Sequence, residues 1–411
     1  MSHLLYTSAI HAMSGGIKLG ALRSPKLRKM CRGQKATMDY LRSHIDAATR
    51  PVWIHAASLG EFEQGRPLIE RIRQQFPERK ILLTFFSPSG YEVRKNYQQV
   101  DAVCYLPLDT PKNVRDFLDL VNPSVAIFVK YEFWGNFLSE LERREIPTYI
   151  ISAIFRPSQI FFKPWGGNFR RMLRAFKTIY LQDQASADLL ASIGITNTVV
   201  AGDTRFDRVT DIMKTATEMP EIERFATSGS LCVIAGSSWP QDEDIYIPWF
   251  NAHPEVKLII APHEFDAARI ESLAHRMANG AVALSSYNGD TKPQALIVDC
   301  FGKLAAMYRY CSIAYIGGGF GTGIHNINEA AVYDLPVIFG PRYSKFKEAI
   351  DLISLGGAFT VSSREQFEAV MNALLDEPLR AKAAKTAGDY VHSQLGATDR
   401  IFSDLKGEFA Q

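Results

Sequence analysis

Short apolar runs recur along the chain with helix-patterned segments between them. The first half carries Val52–Ala57, Ile81–Phe86, Ala102–Leu106, Val125–Val129, Thr148–Ser152 and Thr178–Leu181. The second half carries Leu231–Ala235, Val256–Ala261, Ala281–Leu284, Ala295–Val298, Ile313–Ile316 and Pro336–Phe339. Brief runs of this kind, bounded by turn residues, read as buried parallel strands. The intervening stretches, such as Pro67–Gln75 and Val114–Val121, have helical spacing. Alternation of the two predicts βαβ units and a doubly wound α/β sheet. The alternation pauses between Phe206 and Ser230, which is polar and holds no clear strand. A chain of 411 residues exceeds the roughly 250–300 residues one core sustains. The pause therefore divides it: an N-terminal arm at 1–40, a Rossmann-like domain at 41–215 and a second at 216–411. Two such halves facing a central cleft is the expected architecture, with ligands beyond the carboxyl ends of the strands.

Charge modifies this picture at one end only. Net charge is +2, so attraction of the whole molecule to nucleic acid is not expected. From Met1 to Met38, however, there is no acidic residue, while Lys18, Arg23, Lys26, Arg28, Lys29, Arg32 and Lys35 alternate with apolar side chains such as Leu5, Ile10, Met13, Leu19 and Leu22. A basic, apolar segment suits an anionic membrane surface; a solvated, partly helical arm is the plainer alternative. Ser14-Gly15-Gly16 interrupts the segment, which argues against a cleavable signal peptide, and no run is long enough to cross a bilayer. The five cysteines form no C-x-x-C pair, and Cys104 and Cys232 sit in apolar runs, so small core residues in a reducing compartment are expected rather than disulfides.

Candidate chemistry concentrates at strand ends. In Ile54-His55-Ala56-Ala57-Ser58-Leu59-Gly60-Glu61 a strand runs into a helix. Glu61 there is placed to take a proton from an attacking hydroxyl. The spacing Ser58-x-x-Glu61 is equally that of a capping box, and spacing leaves both readings open. A second site is the glycine-rich Gly317-Gly318-Gly319-Phe320-Gly321-Thr322-Gly323 followed by Ile324-His325-Asn326-Ile327-Asn328-Glu329. Its glycines permit close backbone approach to a ligand, and a following helix would offer free N–H groups to a phosphate, with Glu329 available to ribose hydroxyls. It lacks the lysine-serine pair of a P-loop; a turn without a ligand is the alternative. Gly236-Ser237-Ser238-Trp239 and Ala261-Pro262-His263-Glu264 follow two further strands and would join this site or merely cap helices. Asp242, Glu243 and Asp244 read as a solvated helix start. No D-x-D-like pair, H-x-x-x-H or cysteine cluster supports a metal, and no G-x-S-x-G elbow supports a serine hydrolase.

Six motifs occur in one order: His55-Ala56-Ala57-Ser58-Leu59-Gly60-Glu61, Phe86-Ser87-Pro88-Ser89-Gly90, Leu106-Pro107-Leu108-Asp109, Glu132-Phe133-Trp134, Gly236-Ser237-Ser238 and His325-Asn326-Ile327-Asn328-Glu329. As a set they resemble the 3-deoxy-D-manno-octulosonic acid (Kdo) transferases of lipopolysaccharide synthesis, from about Val52 to the C-terminus. The resemblance implies a GT-B architecture and metal-independent, inverting transfer of Kdo from CMP-Kdo, a substrate rather than a cofactor, to a lipid A precursor at the cytoplasmic face of the inner membrane. It implies Glu61 as general base and a C-terminal half that holds CMP. Ser237, Ser238, Pro262, His263, Gly318, Gly319, Asn326, Asn328 and Glu329 would meet the donor; Ser58, Gly60, Lys130, Glu132 and Arg205 would meet the acceptor. The chain departs from the family pattern in four places. Lys130 stands where a second acid is usual, Ala261-Pro262-His263 stands where the family often has Pro-Arg-His and so lacks its arginine, Trp239 replaces a histidine and Arg205 replaces a lysine, so donor charge must be met elsewhere, for which Arg342 and Lys345 are available. The rival readings are another GT-B enzyme, a UDP-sugar transferase or epimerase, and a non-catalytic protein of the membrane surface.

Overall fold

A computed structural model describes residues 3–410, apart from the side chains of His3, Leu4 and Asn168; Met1, Ser2 and Gln411, which the sequence division assigns to the arm and to the second domain, lie outside the described residues. The chain forms two compact units. The first comprises residues 1–208 and 395–411, the second 209–394. Each is built on a seven-stranded, wholly parallel sheet.

In the first unit the strands are β1 (Val52–Ala56), β2 (Ile81–Phe85), β3 (Ala102–Tyr105), β4 (Val125–Val129), β5 (Thr148–Ala153), β6 (Thr178–Leu181) and β7 (Thr198–Val200), in the order β3-β2-β1-β4-β5-β6-β7. Every residue of β1, β2 and β4 is buried, as expected for strands covered on both faces. Trp53 anchors one face, with Phe117, Phe128 and Phe137 around it at ring separations of 5.0–5.5 Å. The strand order reverses between β1 and β4. In such sheets the crevice outside the carboxyl ends at that reversal is the natural ligand site. Ser58–Glu61 follows β1 and Lys130–Glu132 follows β4, so topology assigns both motifs to one crevice.

The second unit repeats the design. Its strands are β8 (Leu231–Ser238), β9 (Val256–Pro262), β10 (Ala281–Ala283), β11 (Ala295–Ile297), β12 (Ile313–Ile316), β13 (Val337–Phe339) and β14 (Ala358–Thr360), ordered β10-β11-β9-β8-β12-β13-β14. The reversal falls between β8 and β12, beside Ser237–Trp239 and the glycine-rich turn. Trp249, Tyr246, Phe250 and Phe367 fill the core on one face.

Three differences from the sequence reading have physical causes. Strands β7 and β14 are not among the apolar runs: each is a three-residue outer strand, partly exposed, and too short for a periodic signal. The boundary lies at Arg208/Val209 rather than at 215/216, and the last helix, Ala397–Phe409, returns to the first unit because Ile401, Phe402, Leu405 and Phe409 complete the core under β1 and β2. The N-terminal arm is two helices, His3–Gly20 and Pro25–His44; the first runs unbroken through Ser14-Gly15-Gly16. Both dock on the first unit. The Tyr6 hydroxyl donates to Asp109 Oδ2 (2.6 Å), and the Thr37 hydroxyl donates to the Tyr105 carbonyl (2.9 Å). Leu5, Leu19 and Leu22 stay exposed. Among the described residues no helix is long and apolar enough to cross a membrane. All five cysteines are free thiols, with Cys104 and Cys232 buried.

Candidate active site

In the first unit, Ser58 has extended backbone and the helix Leu59–Gln75 starts directly after it. A capping box would have the Ser58 hydroxyl accept from the Glu61 amide while the Glu61 carboxylate accepts from the Ser58 amide. Neither bond forms. Instead the Ser58 hydroxyl donates to Glu61 Oε2 at 2.7 Å. Glu61 is half-buried, next to exposed Gly60, and its carboxylate meets the N-cap residue through the serine hydroxyl rather than through a backbone amide.

Glu132 is nearly buried (7% exposed). Its Oε2 lies 3.0 Å from His55 Nε2 and accepts from the Trp134 indole at 2.6 Å. His55 Nδ1 lies 2.9 Å from the Thr84 hydroxyl, which also accepts from the Trp53 indole at 2.9 Å. One proton arrangement satisfies all of these groups: Trp53 to Thr84, Thr84 to His55, His55 to Glu132. This relay orients the Glu132 carboxylate from below.

Around the same crevice, Tyr131, Arg156 and Asp203, which the sequence reading did not single out, join Glu61, Lys130 and Arg205 of the expected site. Burial raises the Tyr131 hydroxyl pKa; Arg156 and Arg205 counter that rise, and Glu61 and Asp203 add to it. All four therefore act on one phenol. Lys130 takes the left-handed conformation (φ 69°), and its Nζ stands 5.3 Å from the Tyr131 ring centre. Arg205 is held as a planar fork: its Nε and one terminal nitrogen reach Asp203 Oδ2 at 2.8 and 2.7 Å. Asp203 also accepts from Gln64; burial pushes its pKa up, but Arg205 outweighs burial and keeps it below the ordinary value. Tyr131 and Arg156 carry no periodic or motif signal; only the folded strand ends bring them to Arg205 and Asp203.

In the second unit Asp242 organises the strand ends. Its Oδ2 accepts from the backbone amides of Trp239 and Gly318, both at 2.9 Å, and its Oδ1 accepts from the Tyr315 hydroxyl at 2.9 Å. Glu243 is fully buried and pairs with Arg269 and Arg276. The expectation of a solvated acidic run therefore holds only for exposed Asp244, since three hydrogen-bond donors and two arginines compensate the burial of the others. The Ser238 hydroxyl is committed to the core, donating to Glu243 at 3.2 Å and accepting from Tyr246 at 3.3 Å. Ser237 is left-handed (φ 54°) and half-buried.

Two glycines of the turn serve packing. A Cβ on Gly317 would lie 2.3 Å from the Ser237 carbonyl oxygen, and one on Gly319 would lie 2.6 Å from Gly340 Cα. Gly318, at φ 91°, lies against Gly323 and His325. The helix expected after the turn is a single turn, Asn328–Ala331, so its aligned dipoles add little to anion binding. Asn326 instead bridges locally, donating to Glu329 Oε1 (3.1 Å) and accepting from the Asn328 amide (3.2 Å). The Asn328 side chain is buried with both amide atoms unpaired. Arg342 donates to the Gly321 carbonyl. Pro262 ends β9, and the His263 amide donates to the Ser238 carbonyl at 2.9 Å.

Three rings meet above these strand ends. Trp239 and His325 each stack on His263, at 4.6 and 4.5 Å between centres, and the Trp239 indole N–H donates to His325 Nε2 at 3.3 Å.

Comparison with known proteins places this geometry. Residues 29–208 match the family described as 3-deoxy-D-manno-octulosonic-acid transferase (kdotransferase). The Kdo transferase of Rickettsia bellii is 26% identical over 340 residues, 79% of each chain. That of Haemophilus influenzae is 25% identical over 369 residues, 86% of each. In fold the chain is similar to the UDP-GlcNAc 2-epimerase of Neisseria meningitidis, with TM-score 0.62 and 14% identity over 87% of this chain and all of that one. The fold is GT-B, and the similarity to the Kdo transferase family model and to its curated relatives indicates a glycosyltransferase.

Proposed function

We propose that this chain is a member of the Kdo transferase family that moves Kdo from CMP-Kdo to a hydroxyl of a lipid A precursor, with inversion, Glu61 acting as general base. The observation that carries this reading is the Glu61 carboxylate. It stands at the strand reversal of the first unit, oriented by the hydroxyl of Ser58, the N-cap residue, and not bonded to the backbone amides of the helix end. Oε2 is held, and Oε1 remains to accept the proton as the acceptor oxygen attacks. Arg156, Arg205 and Lys130 near Tyr131 suit an anionic acceptor. The second unit would hold CMP at the β8–β12 reversal, where backbone glycines permit close approach. The transition state carries oxocarbenium character, and negative charge builds on the departing phosphate, which hydrogen-bond donors at that reversal stabilise. The reading requires no metal. The exposed Leu5, Leu19 and Leu22, with Lys18 and the basic residues that follow from Arg23 to Lys35, suit peripheral attachment to the cytoplasmic face of the inner membrane.

The test is transfer of labelled Kdo from CMP-Kdo to a lipid A precursor, with UDP-sugars in parallel. Glu61→Ala and Glu61→Gln should each abolish transfer while CMP binding is retained. Transfer from a UDP-sugar alone would refute the donor assignment. Loss of CMP binding together with melting of helix 59–75 would return Glu61 to a structural role.

A further inference from the structure

The ring cluster of the second unit has a defined proton arrangement. An indole nitrogen is a donor only. Because Trp239 Nε1 lies 3.3 Å from His325 Nε2, that histidine nitrogen must be the acceptor and carries no hydrogen. The proton of an uncharged ring then sits on Nδ1, the reverse of the form free histidine favours in water. The two rings lie edge to edge, and His263, exposed on its outer side, stacks across both. The ring is fixed from other directions too. Gly318 leaves room for it, since a Cβ there would lie 3.0 Å from His325 Cδ2. Asp242 ties the backbones of Gly318 and Trp239 together. Among the described residues no protein group is bonded to His325 Nδ1, and that atom is not sealed from solvent.

We infer that Trp239 is a positioning residue of the donor site: its indole N–H locks His325 in the Nδ1–H form and so fixes that N–H as a hydrogen-bond donor to an anionic oxygen, phosphate or carboxylate, of the sugar nucleotide. The inference rests on the second unit holding the nucleotide. Burial and the facing His263 hold the His325 pKa down, at about 4, so the ring donates without carrying a charge at neutral pH. A fixed, uncharged donor differs from a mobile cation in costing little reorganisation when charge develops on the leaving group.

The experiment is 15N NMR of the histidine rings in the full chain at neutral pH, with the His325 signals assigned by their loss in His325→Gln. The wild type should show a bare Nε2 and a protonated Nδ1. Trp239→Phe keeps the stacked face and removes the N–H, so the ring should shift toward the Nε2–H form. A wild-type His325 protonated on Nε2, or a Trp239→Phe spectrum unchanged in this respect, overturns the inference without touching the transfer reaction. CMP and CMP-Kdo are then titrated in. A change at Nδ1–H with CMP identifies the phosphate as partner, and a change with CMP-Kdo alone identifies the sugar carboxylate. If CMP-Kdo binds by calorimetry and neither it nor CMP changes Nδ1, the donor role falls; if neither ligand binds, the nucleotide reading itself falls while the tautomer result stands. In transfer assays Trp239→Phe should lower kcat by about tenfold, less than the full loss of one transition-state donor, with KM for the donor changed little.

Discussion

Removing the carboxylate of Asp242 should loosen the glycine-rich turn before anything else in the second unit. Asp242→Ala leaves three donors without their acceptor: the amides of Trp239 and Gly318 and the hydroxyl of Tyr315. Gly318 and Tyr315 are buried and Trp239 is half-buried. An orphaned buried donor costs about 1–3 kcal/mol, so with half-buried Trp239 at the low end the gross loss is about 3–7 kcal/mol. Part of this is recovered, because burial raises the Asp242 pKa and the variant no longer confines a charge there. A net loss of about 2–5 kcal/mol is expected. Asp242→Asn separates hydrogen bonding from charge. Its carbonyl oxygen can take both amides while its NH2 donates one hydrogen to the Tyr315 oxygen, leaving the other amide hydrogen and the hydroxyl hydrogen unpaired, a loss of about 1–2 kcal/mol. Two units make global unfolding an unsafe measure. Amide exchange at Gly318, read on peptides spanning 313–320, reports the local opening free energy directly. Equal losses in the two variants, or less than about 1 kcal/mol in the alanine variant, would refute this accounting.

Three other outcomes follow from the geometry. Glu61→Gln should retain helix 59–75 by amide exchange and CMP binding by calorimetry, and lose transfer of labelled Kdo. Asp109, buried beneath Tyr6 and the amides of Asn136 and Phe137, has its pKa raised by burial from 3.8 to about 6. The folded state therefore holds the proton more tightly than the unfolded chain; the associated stability is complete below about pH 4 and is lost as pH rises through about 6. The stability advantage of wild type over Asp109→Asn in the first unit should narrow by about 3 kcal/mol between about pH 4 and pH 7, and a constant difference across that range would contradict it. Replacing Leu19 and Leu22 together by Asp should weaken binding to vesicles containing anionic lipid at least tenfold, since each exposed leucine contributes about 1.5–3 kcal/mol when buried, with CMP affinity unchanged; co-sedimentation measures the first and calorimetry the second.

The parallel strands were legible because both faces of each are buried, which writes them as unbroken apolar runs. The outer strands β7 and β14 were not, because a partly exposed three-residue strand leaves no run to read. The same limit governed the acidic segment. Asp242 and Glu243 look solvated in sequence because the groups that make their burial tolerable, Tyr315 and Arg269, lie 73 and 26 residues further on. Ser58-x-x-Glu61 was visible as a spacing, but the direction in which the serine hydroxyl donates is a property of folded geometry. Likewise, His55 and Glu132 stood in separate motifs, 77 residues apart, until the β1–β4 pairing set them 3.0 Å apart.

Backbone strain supports the site independently of any relative. Non-glycine residues rarely adopt positive φ, and each one held there costs about 1–3 kcal/mol unless its surroundings compensate. Arg50, Asn122, Glu145 and Asp334 do so where a helix ends or turns into a strand, where the left-handed conformation closes the helix. Lys130, Ser152 and Ser237 do so elsewhere, at or just beyond the carboxyl ends of β4, β5 and β8. No helix termination explains them. At Lys130 the conformation turns the chain out of β4 so that Glu132 comes back beneath His55; at Ser237 it produces the register shift that sets Ser238 against Pro262 and leads into Trp239. Strain kept at the two strand reversals, one in each unit, is strain that a purely structural protein would gain stability by losing. Its retention at these positions marks the crevice of Glu61 and Glu132 and the ring cluster of Trp239, His263 and His325 as the candidate functional sites on physical grounds.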